Sequence, residues 1–463
     1  MNIELPDNLI QALKAIRASG GHPLIVGGAV RDAVMKRQTK DIDIEVYGLK
    51  PNLVATALVG VGTVDIVGMA FGVLKVHGIN ADFSVPRRDN KVGQGHKGFD
   101  VETDPEMSIE DAARRRDLTI NSMAWDPFTG ELHDPFRGAQ DIEDKLLRAT
   151  DQSKFLEDPL RAMRVAQFVS RFNFHVQNDL EAMCIEADLS QLSGERLYEE
   201  WRKLLSGRWA DKALYFVRGA LLRQFPELAA MADCPQDKVW HPEGDVFVHT
   251  AMATVWAREL SEDPTVWWAT LLHDAGKPST TTKDDDGRVR SWGHEDAGIA
   301  PARSFLQRLK APKDLEDRVA ALVAYHLAPV HFVDEINGGH DGSARPSAYR
   351  RLARKLGAAG TGLKTLYLVS KADHFGRSTR EAVARLFPVG DEFLRRAEMT
   401  QVTERPEPDI VMGRHLLNRG FQPGPEIGRI LAKCREYQYD SGCKDADTIL
   451  NYILIEEPQD PQS

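Results

Sequence analysis

The spacing of apolar residues changes once along this chain, near Lys154, and that change restricts its possible architectures more than any other feature. Before it, short apolar runs alternate with helical segments. HPLIV (22–26) ends at Gly27-Gly28, AVRDAVMKRQ (29–38) has helical spacing, and DIDIEV (41–46) alternates polar and apolar like a half-buried strand. VGMAFGVLKV (67–76), the turn HGIN and ADFSV (81–85) predict a hairpin, and the glycine-rich KVGQGHKGF (91–99) predicts a loop. After Lys154 the strand signals fade. EDPLRAMRVAQFVSRF (157–172), ERLYEEWRKLL (195–205) and DKALYFVRGALLRQF (211–225) all carry apolar residues at helical spacing. A helical, histidine-punctuated block runs from about Trp240 to Gly376, with a loop expected at KDDDGRVRSWG (283–293). PEP (406–408) marks a linker before a short helical tail that ends in EEPQDPQS. The expected organisation is a mixed α/β head over 1–150, a helical neck and body over 151–235, an all-α domain over 236–400 and a helical tail over 401–463.

At 463 residues with 42% hydrophobic and 28% charged residues, the chain suits a folded protein of two to four domains. A net charge of −10 excludes a basic coat for packaging nucleic acid, although local patches can still bind it. No apolar run approaches the roughly 18 residues a membrane span needs, and the acidic, polar opening MNIELPDN does not read as a secretory signal. The four cysteines (Cys184, Cys234, Cys434, Cys443) form no C-x-x-C pair, so neither a zinc ribbon nor a disulfide framework is expected. These features predict a soluble, cytoplasmic protein.

Asp41 and Asp43, two apart on one strand, project from the same face while Ile42 and Ile44 point to the core. Two such carboxylates can hold one or two Mg²⁺ ions, which prefer oxygen ligands. Asp82, on a later strand, can add a third carboxylate. Gly27 and Gly28 have no side chains to keep a triphosphate from backbone N–H groups at a helix start. These are parts for phosphoryl or nucleotidyl transfer. Taken singly, a D-x-D also reads as a solvated polar face and a Gly-Gly as a turn. The fixed order Gly27-Gly28, Arg31-Asp32, Asp41-Ile42-Asp43 is what favours chemistry.

LIVGGAVRDAV and KDIDIEVYG resemble the signature of the nucleotidyltransferases that include CCA-adding enzymes and bacterial poly(A) polymerases, in the class shared by bacteria and eukaryotes. RRRDLTINSMAWDP (114–127), DPFRGAQDIEDKLLR (134–148), EDPLRAMRVAQF (157–168) and GERLYEEWRKLL (194–205) resemble the family's four later motifs, in order. The resemblance implies a polymerase-β-like head and a helical neck. It gives Asp41, Asp43 and Asp82 catalytic roles, and places Gly28, Arg31, Arg87, Arg115, Arg116, Asp117 and Arg164 around the incoming nucleotide. By this likeness the arginines hold the triphosphate and Asp117 the ribose 2′-hydroxyl.

Asp158 and Arg161 lie three apart on one helical face. A carboxylate accepts hydrogen bonds and a guanidinium donates them. Cytosine and adenine both present an amino donor beside a ring-nitrogen acceptor, so such a pair satisfies either base. Guanine and uracil would leave buried groups unpaired, at about 1–3 kcal/mol each. Asp158 followed by Pro159 equally reads as a helix cap, and both roles can coexist.

In the helical block, His249, His273-Asp274 and Asp373 resemble the H…HD…D pattern of the HD phosphohydrolase superfamily, an all-helical metal-dependent fold. The resemblance makes those four residues metal ligands and sets Lys277, His294 and His326 toward the scissile phosphate or a second metal. A mixed N/O ligand set suits Mn²⁺, Ni²⁺, Co²⁺ or Mg²⁺ better than structural zinc. Head, neck and HD domain in this order are similar to bacterial CCA-adding enzymes with a carboxy-terminal HD domain. This likeness implies addition of CCA to tRNA from CTP and ATP, with 2′,3′-cyclic phosphodiesterase and phosphatase activity. A poly(A) polymerase, a CC-only or A-only enzyme, and an HD hydrolase with an RNA-binding head are the alternatives. The basic stretches RRLARK (350–355) and Arg395-Arg396 read either as an RNA path or as solvated helix faces, and monomer and homodimer stay open.

Overall fold

A computed structural model describes residues 3–39, 41–67, 73–91, 99–334 and 345–456. The chain divides into two compact units, Met1–Leu204 with Lys212–Gln224 and Leu205–Asp211 with Phe225–Ser463.

The first unit contains β1 (His22–Val26), β2 (Ile42–Tyr47), β3 (Val64–Val67), β4 (Val73–Val76), β5 (Ala81–Ser84), β6 (Arg87–Lys91), β7 (Phe99–Thr103), β8 (Ala124–Trp125) and β9 (Leu132–His133). Seven of these form one sheet in the order β3-β4-β5-β2-β1-β8-β9, while β6 and β7 pair separately as an antiparallel hairpin. β2 runs antiparallel to β1 and parallel to β5. The alternation in DIDIEV sets its orientation: Ile42, Ile44 and Val46 are buried, and Asp41 and Asp43 are exposed. Leu9, Leu13 and Ile16 recur at helical spacing on Asp7–Ala18 and share one core with Ile44, Val46 and Phe83. The expected hairpin is present as β4 against β5, with Leu74 opposite Phe83; residues 68–72 and 92–98 of the predicted hairpin and loop lie outside the described residues.

Beyond Lys154 this unit is helical with one exception, a two-residue strand His175–Val176 that pairs in parallel with Leu146–Leu147. The helix Leu160–Phe172 buries Ala162, Met163, Val165 and Ala166 completely.

Among the described residues the second unit is helical apart from one hairpin, which corrects the expected loop at 283–293. Thr281–Lys283 and Val289–Ser291 pair antiparallel around a turn closed by Asp284 and Gly287. The Asp/Gly run is the turn, and the β-branched residues flanking it supply the strands. The linker is also tied down more firmly than PEP suggests. Asp409 accepts hydrogen bonds from Arg354 at 2.9 Å and from Arg435 at 2.9 and 3.0 Å. The tail beyond it has its own core of Val411, Leu416, Ile430, Cys434, Ile449, Leu450 and Ile453. Among the described residues, no helix is long and apolar enough to cross a membrane.

Candidate active sites

In the head, sheet register places Asp43 directly opposite Asp82, and Asp82 directly opposite Lys75. Asp41 precedes the strand on the same accessible face as Asp43. Crowding by neighbouring atoms pushes the Asp43 carboxyl upward; Arg116 opposes this, and the nearby Asp82, Asp41 and Glu45 push it further the same way. The Lys75 ammonium lies 3.1 Å from Asp82 and takes up part of this negative charge. Gly27 ends β1 with φ +69, and a Cβ there would come within 2.7 Å of the Arg116 guanidinium. The backbone angle therefore calls for glycine, and a side chain there would also displace the flexible Arg116 guanidinium.

Glu45, third along the Asp41–Asp43 face, is only 5% exposed. The Tyr47 hydroxyl donates to it at 2.8 Å, and the guanidinium groups of Arg115 and Arg116 lie 3.7 and 3.9 Å away. This buried carboxylate holds two arginines beside the Asp43 row.

Asp117 and Arg31 are committed to the scaffold. Asp117 accepts from Leu118 N–H at 2.8 Å, Asn121 Nδ2 at 2.9 Å and Arg164 Nε at 2.7 Å. Burial pushes its pKa up, but the Arg164 charge and these hydrogen bonds outweigh burial and bring it to about 2. Arg31 donates to Asn121 Oδ1 at 2.7 Å and stacks over Phe168 and Phe172. The chain Arg31–Asn121–Asp117–Arg164 thus fastens the second motif to the neck helix. Arg87 opens β6, opposite Thr103.

Asp158 and Arg161 lie at the start of the neck helix, joined by the Arg161 N–H to the Asp158 carbonyl at 3.0 Å, while their side chains turn to other partners. Leu160 N–H donates to Asp158 Oδ1 at 3.2 Å, and Arg196 donates to Oδ2 at 2.8 Å. Arg161 donates to the carbonyls of Lys154 and Arg115 at 2.8 and 2.7 Å.

In the second unit, five helical segments bring six groups together. His249 lies on Val246–Leu260, His273-Asp274 come directly after Pro264–Leu272, His294 opens the short helix after the hairpin, His326 ends Lys313–Tyr325, and Asp373 sits in Leu363–Gly376. All six are at most 7% exposed. His249 Nε2 lies 3.0 Å from Asp373 Oδ1, and His273 Nε2 lies 3.2 Å from Asp274 Oδ2. On the other side of that carboxylate, His294 Nε2 lies 3.4 Å and His326 Nε2 3.9 Å from Asp274 Oδ1. Gly276 makes the approach possible, since a Cβ there would strike the His294 carbonyl at 2.1 Å. Lys277 Nζ is 2.7 Å from both Asp274 Oδ2 and Gln236 Oε1.

The Nδ1 atoms of His273, His294 and His326 face the carbonyls of Thr270, Ser291 and Val323 at 2.7, 2.8 and 2.8 Å. A carbonyl only accepts, so each Nδ1 carries a proton; burial pushes the His326 ring down to about 3, which leaves its Nε2 as an inward-facing lone pair. His273 Nε2 is buried without a hydrogen-bond partner.

Two family models match the chain: a Poly A polymerase head domain over residues 24–148 and an HD domain over residues 246–334. A multifunctional CCA protein of Nitrosococcus oceani is 34% identical over 366 residues, covering 77% of this chain and 85% of that one. Another, from Xanthomonas euvesicatoria pv. vesicatoria, is 33% identical over 433 residues, covering 89% and 96%. The chain belongs to the multifunctional CCA proteins. The fold is shared with the Bacillus stearothermophilus CCA-adding enzyme solved with CTP, at TM-score 0.66, 22% identity and 98% coverage of both chains.

Four residues at the two sites of this chain lie outside the sequence-predicted set. Glu45 was visible in principle, as the next outward position of the Asp41–Asp43 alternation. Arg196 lies in the fifth motif and answers Asp158. Glu243 accepts from His249 Nδ1 at 2.7 Å and His241 Nδ1 at 3.0 Å, and Arg377 lies 3.1 Å from Asp373. The basic stretch RRLARK is spent on the tail: Arg350 reaches the Tyr439 carbonyl, and Arg351 reaches Glu436 and Asp440. Arg395 and Arg396 both pair with Glu392.

Proposed function

We propose that the head adds C, C and A in turn to tRNA 3′ ends from CTP and ATP, releasing pyrophosphate, in the cytoplasm. The register row Asp43–Asp82 beside Asp41, faced by Arg116, supports this reading most directly. The RNA 3′-hydroxyl attacks the α-phosphorus, loses its proton to solvent, and displaces pyrophosphate. Asp41 and Asp43 offer the oxygen donors that fit Mg²⁺, which when bound supplies charge stabilisation at phosphorus. Arg115, Arg116 and Arg87 bind triphosphate oxygens, and Glu45 keeps the first two aimed. Asp158 accepts the exocyclic amine of cytosine or adenine. Arg161, with two of its five N–H groups fixed on carbonyls, donates to the ring nitrogen from the remainder.

The histidine site hydrolyses phosphoesters, including 2′,3′-cyclic ends. His249, His273, Asp274 and Asp373 fit a divalent ion such as Ni²⁺, Mn²⁺, Co²⁺ or Mg²⁺, because His273 Nε2 is buried without a hydrogen-bond partner and faces two carboxylates. When bound, the ion supplies Lewis acidity at a phosphate oxygen. Lys277 contributes a cation for the scissile group.

The decisive experiment extends tRNA transcripts lacking CCA, C-A or A with each nucleotide separately. Two additions of CMP, one of AMP and then arrest are expected. Repeated AMP addition to any RNA would replace this reading with poly(A) polymerase.

A further inference from the structure

Trp240 and Trp292 depart from the other tryptophans of the chain. Of eight in all, six are buried or half-buried, whereas these two are 63% and 76% exposed. Both stand beside the histidine site. Trp240 directly precedes His241, whose ring meets the His249 ring edge-on with 4.6 Å between centroids. Trp292 lies two residues before His294, so their Cα atoms are no more than about 7 Å apart. His249 and His294 approach different oxygens of the Asp274 carboxylate, Oδ2 at 3.8 Å and Oδ1 at 3.4 Å. The two indoles thus belong to segments that reach one centre from its two sides.

Both segments are fastened. Gln236 accepts from Lys277 Nζ at 2.7 Å and donates to the Gly244 carbonyl at 3.4 Å, which closes the loop carrying Trp240. In the hairpin, Thr281 Oγ1 donates to the Lys277 carbonyl at 2.7 Å and lies 2.8 Å from Ser291 Oγ, and the Ser291 carbonyl accepts from His294 Nδ1 at 2.8 Å. The Arg290 guanidinium, paired with Asp284, lies 5.7 Å from the Trp292 ring centroid and braces that indole. An aromatic ring already held in place loses little freedom when a flat partner covers it. The partner must offer such a face and carry a phosphate into the centre; an unpaired nucleobase, one ribose away from its phosphate, does both. Every base has a stacking face, so the contact is tolerant of sequence.

We propose that Trp240 and Trp292 are stacking platforms through which the histidine site selects unpaired RNA 3′ ends, the last two bases of the strand lying on the two indoles. This rests on the reading of that site as a phosphohydrolase. The substrate class is then a terminal phosphate on a single strand of any sequence, not a free small phosphoester.

The test uses the full chain and two cyclic esters: a trinucleotide RNA ending in a 2′,3′-cyclic phosphate, and methyl riboside 2′,3′-cyclic phosphate, which has the same scissile ring and no base. In both, water opens the ring by breaking one P–O ester bond and leaves a phosphomonoester and a free hydroxyl. The ratio of kcat/KM, trinucleotide over riboside, is expected to fall about 5–150-fold in Trp240→Ala and in Trp292→Ala, the loss that alanine causes at a stacked base. Trp292→Phe should recover much of it. In the chelator-treated, metal-free chain the trinucleotide should quench indole fluorescence, and each alanine variant should show less quenching. A ratio that stays at the parent value in both alanine variants overturns the stacking role, and so does an equal fall for both substrates. A parent chain that hydrolyses neither ester overturns this inference together with the reading on which it rests.

Discussion

Glu243 Oε1 accepts the Nδ1 proton of His249 at 2.7 Å, while the Nε2 of the same ring faces Asp373 at 3.0 Å. Carboxylates of this kind fix ring orientation and raise ligand basicity, and their removal weakens metal affinity by about 10–100-fold. Glu243→Ala should raise by that factor the Mn²⁺ concentration needed for half-maximal hydrolysis of a 2′,3′-cyclic nucleotide. CTP incorporation into tRNA should stay at the parent rate. Loss of both activities together would show that Glu243 merely holds the protein in shape.

Asp41→Ala and Asp43→Ala should each lower CMP addition by on the order of 10²–10³-fold or more, since each removes an anionic group placed where charge develops. Asp82→Ala should cost less, because Lys75 already occupies one of its oxygens. Single-turnover extension of a tRNA lacking CCA gives the comparison. Equal losses for all three would make Asp82 an equal partner in the row.

Gly27→Ala places a Cβ at φ +69 and 2.7 Å from the Arg116 guanidinium. The backbone conformation alone costs about 1–3 kcal/mol, and Arg116 must also move. Both the melting temperature of the head and CTP affinity should fall. If Gly27→Ala binds CTP like the parent, Arg116 does not touch the nucleotide.

Acid should reach the Asp117 network at a defined place. Its folded pKa of about 2 lies below the ordinary carboxylate value of about 3.9. The stabilisation, about 2.6 kcal/mol by linkage, is therefore complete above about pH 5 and is lost as the pH falls from about 5 to about 1. Urea unfolding of the parent and of Asp117→Asn between pH 6 and about pH 2.5 should show the gap between them narrowing toward acid. A gap independent of pH would remove the carboxylate charge from the explanation.

Arg351→Ala should lower thermal stability slightly, through its lost pairs with Glu436 and Asp440. Exposed pairs of this kind contribute about 0.2–1 kcal/mol each. The KM for tRNA should not change. A large rise in KM would return RRLARK to the RNA path.

Local pattern carried much of this structure. The two-residue period of DIDIEV gave β2 its buried and exposed faces, and the His273-Asp274 pair stood out because it ends a helix in a run of buried apolar residues. What pattern did not carry was pairing at a distance. Glu45 owes its burial to arginines 70 residues later, and Asp158 meets Arg196 across 38 residues. The arginines of RRLARK looked free until the acidic residues of the tail closed on them from more than 80 residues away. The short hairpin before His294 was hidden for a different reason. Three-residue strands are too brief to show a period, and their Asp/Gly turn dominated the composition.

Three of the histidines facing Asp274 receive their tautomer from a carbonyl three residues back, within their own turn of chain, whereas His249 receives it from a carboxylate. A carboxylate draws the proton further from the ring than a carbonyl does, so His249 is the most electron-rich donor of the set. The sphere these residues would offer an ion is consequently lopsided, with His249 a stronger σ-donor toward it than His273.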